Sequence, residues 1–276
     1  MSVQAVAGPR LDLTGPPPVA PRHSLLKTPG VVVTEDAGRW LNGVNLIGYP
    51  DAVPDVWNAC DPVSSTGIKA EGEAGPQAQF DPFVCYLPVT CSALNYPFLA
   101  EWSETVLEAT YSFAVEQALV GIQQAGLGPN PSLGDSNVVK PVGGTAKAPI
   151  VALSYLENAI GMTGRQGMIH ATPATISQLN TDTFLDPEQL ITTNGNPVVS
   201  GGGYIGAEAD GVAPGAGQDW MFASGPVEVR LSPVFITDLV ESLDRSDNTL
   251  TFRAERWVLA TWDTALQAAV LVDWDT

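Results

Sequence analysis

The sequence predicts an α+β fold, one long helix set against a β-rich C-terminal half. Three observations lead there. Apolar residues recur near helical spacing for about 28 residues from Phe98, against a usual helix of ~11–12. From residue 183 onward, short β-branched and alternating segments take over. No period of roughly 20–50 residues recurs, which excludes solenoids and propellers.

Composition narrows the function. The chain has 276 residues, 45% hydrophobic and only 15% charged, with 27 Gly and 23 Pro. The charged share is well under the usual ~25%, which points to a surface used for contact, hence assembly. Thirty acidic residues against 12 basic ones leave a net charge of −18. A protein that grips nucleic acid through its phosphates needs clustered Lys and Arg, so that class is excluded. No stretch approaches the ~18 apolar residues of a membrane span, and Met1-Ser2-Val3-Gln4 does not open a secretory signal. Cys60, Cys85 and Cys91 are too few for a disulfide framework and read as buried free thiols, with one pairing left open. Synthesis in a reducing cytoplasm follows.

Residues 1–30 read as an arm. Gly8-Pro9, Gly15-Pro16-Pro17-Pro18, Pro21 and Pro29 bar regular helix and favour extended or polyproline backbone. A solvated tail and an arm that orders on a neighbour share this composition. Arg10, Arg22 and Lys27 stand there against Asp12 alone, so the acidity lies in the body. Val31-Val32-Val33-Thr34 predicts a strand. Residues 40–80 are irregular, with Leu46-Ile47 and Phe80–Leu87 as strand candidates around a span too long for a hairpin turn.

The long helix opens near Pro97 and ends at Gly126, Gly128 and Pro129, a rod of roughly 40 Å. Phe98, Trp102, Val106 and Phe113 are expected to pack it on a sheet. Glu101, Glu104 and Glu108 are expected near the positive end of its dipole. A second helix is predicted from Pro149 to Ile160, stopped by Gly161 and Gly164. Met168–Ala171 reads as a buried strand, and Thr172 as the cap of a helix opening at Pro173. Asn194-Gly195-Asn196-Pro197 is a turn, and Gly201-Gly202-Gly203 a bend or bulge in a sheet. Trp220–Ala223, Val227–Leu231, Leu250–Trp257 and Ala269–Val272 read as strands, with Asp247-Asn248 a turn.

The chemistry-bearing residues form no catalytic or metal-binding pattern. The only histidines are His23, in the arm, and His170, in an apolar strand where a structural role is expected. Nothing local supports a Cys91–His170 nucleophilic pair. Cys85 and Cys91 lack metal-ligand spacing, and there is neither a nucleophile elbow nor a phosphate loop. Asp182, Asp186, Glu188, Glu208 and Asp210 are scattered in turns without calcium-loop spacing. No cofactor, metal or catalytic residue is expected, and the protein is read as not an enzyme.

The order of elements carries a resemblance: arm, long irregular β excursion, long helix, short helix, β-rich half. Further likeness lies in Ile169-His170-Ala171-Thr172-Pro173, Gly195-Asn196-Pro197-Val198-Val199, Trp220–Gly225, Val227-Glu228-Val229-Arg230 and Phe252–Ala260. In these the chain resembles the Hong Kong 97-type fold of tailed-phage major capsid proteins, shared by encapsulin shells, and looks like a divergent group from phages of actinobacteria. The span between arm and helix departs from the pattern in its richness in Pro, Gly and Cys.

The resemblance implies an N-terminal arm (1–40), an extended β loop (41–90) and a peripheral domain with a long spine helix (91–145). An axial domain (146–225) and C-terminal strands returning to the peripheral domain (226–276) complete it. It implies a shell protein of the virion, made in the host bacterial cytoplasm. Copies form pentamers and hexamers around packaged DNA held without sequence-specific contacts, with a decoration, scaffolding or portal protein as further partners and no membrane. Subunit-interface candidates are Arg10, Arg22, Lys27, Lys69, Arg253, Glu255 and Arg256. Lys69 lies in the candidate loop, and no partner for an isopeptide bond can be matched to it. Alternatives are an encapsulin-like compartment shell, a minor head or vertex protein, and a small hydrolase using Cys91 or His170.

Overall fold

A computed structural model describes residues 16–36, 38–47, 77–92, 96–122, 130–179 and 190–275 apart from 245 and 247, together with Asp186 and Glu188. The described strands are β1 (Val32–Glu35), β2 (Val44–Ile47), β3 (Gln77–Phe80), β4 (Phe83–Ser92), β5 (Met168–Ala171) and β6 (Val198–Ser200), followed by β7 (Gln218–Ser224), β8 (Val227–Leu231), β9 (Phe235–Asp244), β10 (Thr249–Trp262) and β11 (Gln267–Asp273). The helices are α1 (Tyr96–Leu119), α2 (Pro149–Met162) and α3 (Pro173–Leu179).

The first sheet has five strands in the order β1-β8-β10-β4, with β9 also on β10. β1 runs parallel to β8, and β10 runs antiparallel to β4, β8 and β9. The second sheet has four strands, ordered β11-β7-β5-β6. β2 and β3 make a separate antiparallel pair, Val44 opposite Phe80, seated on the first sheet where Phe80 meets Trp262 edge-on at 5.0 Å. The predicted loop span of 41–90 thus ends in the first sheet, since β4 belongs to it. Of the C-terminal strands, β8, β9 and β10 lie in that sheet, but β11 crosses to the second one beside β7. Leu250–Trp257 alternates because one face of β10 is covered, a signal that the sequence of β9 lacks.

The second sheet has an apolar layer on each face. Trp220, Phe222, Ala269 and Leu271 point to a core shared with α1 and the first sheet. Their neighbours Met221, Ala223, Ala268, Val270 and Val272 point to a core built with α2 and α3. Burial on both faces is why Ala268–Val272 reads as an unbroken apolar run. Val139 and Lys147 bridge to β11 from its other side, through Val139 N–H on Gln267 O (3.0 Å) and Lys147 N–H on Leu271 O (2.9 Å).

α1 is shorter than predicted and turned differently. It has 24 residues, about 36 Å at ~1.5 Å each. It stops at Gly121, whose φ of +81° closes a Schellman cap: Gly121 N–H reaches Ala118 O (3.2 Å) and Ile122 N–H reaches Gln117 O (3.0 Å). The buried face is Ser103, Leu107, Ser112, Val115, Glu116 and Leu119. Trp102 and Phe113 stand exposed at 36% and 49%, against expectation, while the Phe98 side chain lies outside the described residues. Polar residues lie on the inner face (Ser103, Ser112, Glu116) and large apolar ones on the outer face (Trp102, Phe113), so spacing alone could not single out the inner face. No acidic residue sits in the first turn; Glu101 follows a turn later, where the dipole is weak.

α2 opens at Pro149 as predicted but runs through Gly161 to Met162, and α3 opens at Pro173 as predicted. Ala152, Leu153, Leu156 and Ile160 form the buried stripe of α2. Thr172 caps α3 by accepting the Thr175 N–H at 3.3 Å. The arm, as described from residue 16, is fastened to its own chain. Ser200 N–H donates to His23 O at 2.9 Å, and Leu25 in the 3₁₀ turn Leu25–Lys27 is fully buried.

Candidate functional site

The most unusual group inside the molecule is the Glu116 carboxylate, on the inner face of α1 and 1% exposed. Its Oε1 accepts the Leu25 N–H at 3.0 Å and the Ser112 hydroxyl at 3.2 Å, and its Oε2 accepts the Gly203 N–H at 3.0 Å. One side chain therefore ties the arm, the long helix and the loop after β6 together. Burial pushes its pKa up, against the pull of those three donors. The Gly201-Gly202-Gly203 run is thus a docking surface for α1 rather than a sheet bulge. A Cβ on Gly203 would lie 2.5 Å from the Glu116 Cβ and from Phe113 O, and one on Gly201 would lie 2.7 Å from the Glu116 carboxyl carbon.

Beside it lies a second buried chain of polar groups. His170 Nε2 is 2.8 Å from Ser224 Oγ and Nδ1 is 2.9 Å from the Tyr204 hydroxyl. Ser224 Oγ donates to Gly225 O at 2.8 Å, so it accepts from Nε2–H, and Tyr204 donates to a bare Nδ1. The imidazole is neutral, and complete burial drops its pKa to about 3. Both nitrogens are occupied and no carboxylate backs the ring, so it has no capacity left to activate a nucleophile. Burial lifts the Cys85 thiol to about 12 and moves Cys91 in the same direction, keeping both protonated. Both are free and buried. Among the described residues, no group of three or more His, Cys, Asp or Glu is placed to hold a metal ion. Among them, too, no helix is long and apolar enough to cross a membrane.

The third node is Arg256, on β10 and 5% exposed. Its Nε donates to Ser232 O at 2.6 Å, its Nη2 pairs with the Glu35 carboxylate of β1, and its guanidinium lies 4.9 Å over the Tyr111 ring of α1. This arginine fastens β1 and α1 to the sheet's long strand.

The other sequence candidates are dispersed. Arg22 is exposed and donates to Glu188 O at 3.0 Å, and Lys27 is exposed on the arm. Arg253 is exposed on the outer face of β10, 5.8 Å over Tyr86, and Glu255 on the same face accepts the Thr237 hydroxyl at 3.0 Å. Arg10, Lys69, Cys60 and Asp182 lie outside the described residues. Sequence reasoning missed Glu116, Tyr204, Ser224 and Glu35. Only Glu116 left a trace, as a carboxylate in helical step with Ala109, Ser112 and Leu119.

A lengthwise groove of about 540 Å³ runs between β4, α1 and the start of the described arm, lined by Tyr86, Leu87, Leu107, Tyr111, Phe113 and Val19 among others. Its walls are mostly apolar, and among the described residues Glu116 is the one charged residue lining it.

No protein-family model matches the sequence, and no curated protein matches it. Solved structures match over nearly its whole length. One described as the capsid of an empty GTA particle computed with C5 symmetry gives a TM-score of 0.57 at 13% identity, covering 97% of this chain and 94% of that one. A Mycobacterium phage Che8 structure gives 0.54 at 8% identity, with 100% and 99% covered. A virus-like particle from Pyrococcus furiosus gives 0.50 at 11% identity, with 91% and 92% covered. At low identity and high coverage, these matches show that the chain shares its fold with these structures, and its α+β architecture with mixed sheets agrees.

Proposed function

We propose that this chain is a major capsid protein whose copies self-assemble into an icosahedral shell around phage double-stranded DNA. The observation that carries the reading is end-to-end likeness to a particle capsid, 97% of this chain on 94% of that one. In this reading α1 is the spine helix, residues 1–40 the arm and 41–90 the extended loop. Residues 91–145 with 226–276, apart from β11, form the peripheral domain, and 146–225 with β11 the axial domain. The protein catalyses nothing; its interior polar groups hold segments in place. Exposed or half-exposed charges at Arg22, Lys27, Arg253 and Glu255, with Arg10 and Lys69, serve contacts between subunits, and Arg256 holds the strand that presents Glu35. A net charge of −18 suits a container, because an acidic wall does not bind packaged DNA tightly.

Electron microscopy of the purified chain and of particles containing it tests the proposal. Closed shells of uniform diameter are expected. A chain that stays monomeric at every concentration overturns it. The likeness to a virus-like particle from Pyrococcus furiosus favours one second reading, a shell that encloses protein instead of a genome. The ratio of nucleic acid to protein in purified particles separates the two.

A further inference from the structure

We infer that the two open edges of the first sheet are a matched pair, so that β1 of one copy adds alongside β4 of the next. This rests on the shell reading and specifies one of its contacts. Among the described residues, β4 pairs only with β10, and β1 only with β8. Both strands therefore leave an edge of backbone donors and acceptors unpaired, which natural proteins guard with charge or cover. Among the described residues neither charge nor a further paired strand guards these edges, and only Pro88 interrupts that of β4. β4, FVCYLPVTCS, carries no charge over ten residues. β1 carries one, Glu35, and it is held by Arg256 of the same chain. On a chain of net charge −18, these are edges where two like-charged copies meet without repulsion.

Direction and shape agree. β1 is parallel to β8, β8 antiparallel to β10, and β10 antiparallel to β4, so β1 and β4 point the same way. A neighbour related by rotation, with its sheet continuing this one, sets its β1 parallel to β4. Such head-to-tail contacts close into rings when the rotation divides a full turn. The incoming strand exposes Val32 at 56% and Val33 at 43%. The receiving edge offers the apolar groove beside Leu87, Leu107 and Tyr111 on one face and Tyr86 on the other. Pro88 has no N–H to give, which confines the ladder to the first half of β4, where that groove lies.

Disulfide trapping tests the contact. Chains carrying Val33→Cys are mixed with chains carrying Val84→Cys or Tyr86→Cys, all with Cys60→Ser, then assembled and oxidised. The expected result is a covalent heterodimer in at least one mixture, at several times the yield of either variant alone. A chain carrying both cysteines of that pair should give a ladder of covalent oligomers. Particles that form without the heterodimer overturn the edge contact and leave the shell reading standing. Chains that never assemble, with the unmodified chain monomeric too, overturn both. Should the cysteine variants fail to fold, Val32→Lys replaces an exposed side chain. Assembly at least tenfold weaker, with the melting of the unassembled chain unchanged, is expected, and unaltered assembly overturns the contact.

Discussion

At the scale of single residues, the buried polar groups determine how the chain responds to acid. His170 has a folded pKa of about 3 against an ordinary 6.5, so the unfolded chain takes up its proton first. Stability is therefore whole above pH 6.5 and declines as pH falls toward 3, by up to about 5 kcal/mol for this group. Denaturant titration of the unassembled chain from pH 7 to 4 should show that slope, and His170→Asn should flatten it. Glu116 works in the opposite sense. Its raised pKa means the folded chain binds that proton more readily, so its ionisation costs stability above the raised value, and the cost fades as pH falls from there to the ordinary carboxyl pKa. Removing the side chain is worse than removing its charge, because the Leu25 and Gly203 N–H groups lose their acceptor. Glu116→Ala should cost on the order of 2–4 kcal/mol, and Glu116→Gln, which keeps one carbonyl oxygen, clearly less. Equilibrium unfolding at pH 7 compares them.

At the scale of elements, the contact of α1 with the glycine run can be tested by shape alone. Gly203→Ala places a methyl 2.5 Å from Phe113 O, a backbone atom that cannot swing away. A loss of about 2–3 kcal/mol is expected, with a matching drop in Tm, and Gly143→Ala is not a substitute control because its φ is +62°. Legibility in the sequence follows the same division. α2, β5, α3, β7, β8 and β10 were readable because local signals sufficed: a one-sided stripe, a threonine before a proline, strict alternation. The inner face of α1 was not, because Trp102 and Phe113 are as apolar as Leu107 and Val115. Its end was missed because several glycines followed, and only backbone dihedrals show that Gly121 is the one that caps. The Glu116 and His170 clusters join residues 91 and 54 positions apart, separations over which a lone sequence carries no pattern.

At the scale of the whole molecule, charge sets the condition for any association. Copies bearing −18 each repel until salt screens them, with a Debye length falling from ~30 Å at 0.01 M to ~10 Å at 0.1 M. Light scattering should therefore show assembly rising with ionic strength; assembly that weakens with added salt would point to ion pairs as the main glue. Closure of the fold also depends on β11. It sits between β7 and the bridges from Val139 and Lys147, and supplies apolar side chains to both cores. A polypeptide that lacks this strand has two unsealed interiors. Such copies are thus barred, by their own failure to fold, from whatever the folded chain builds, and possession of β11 becomes a checkpoint on admission.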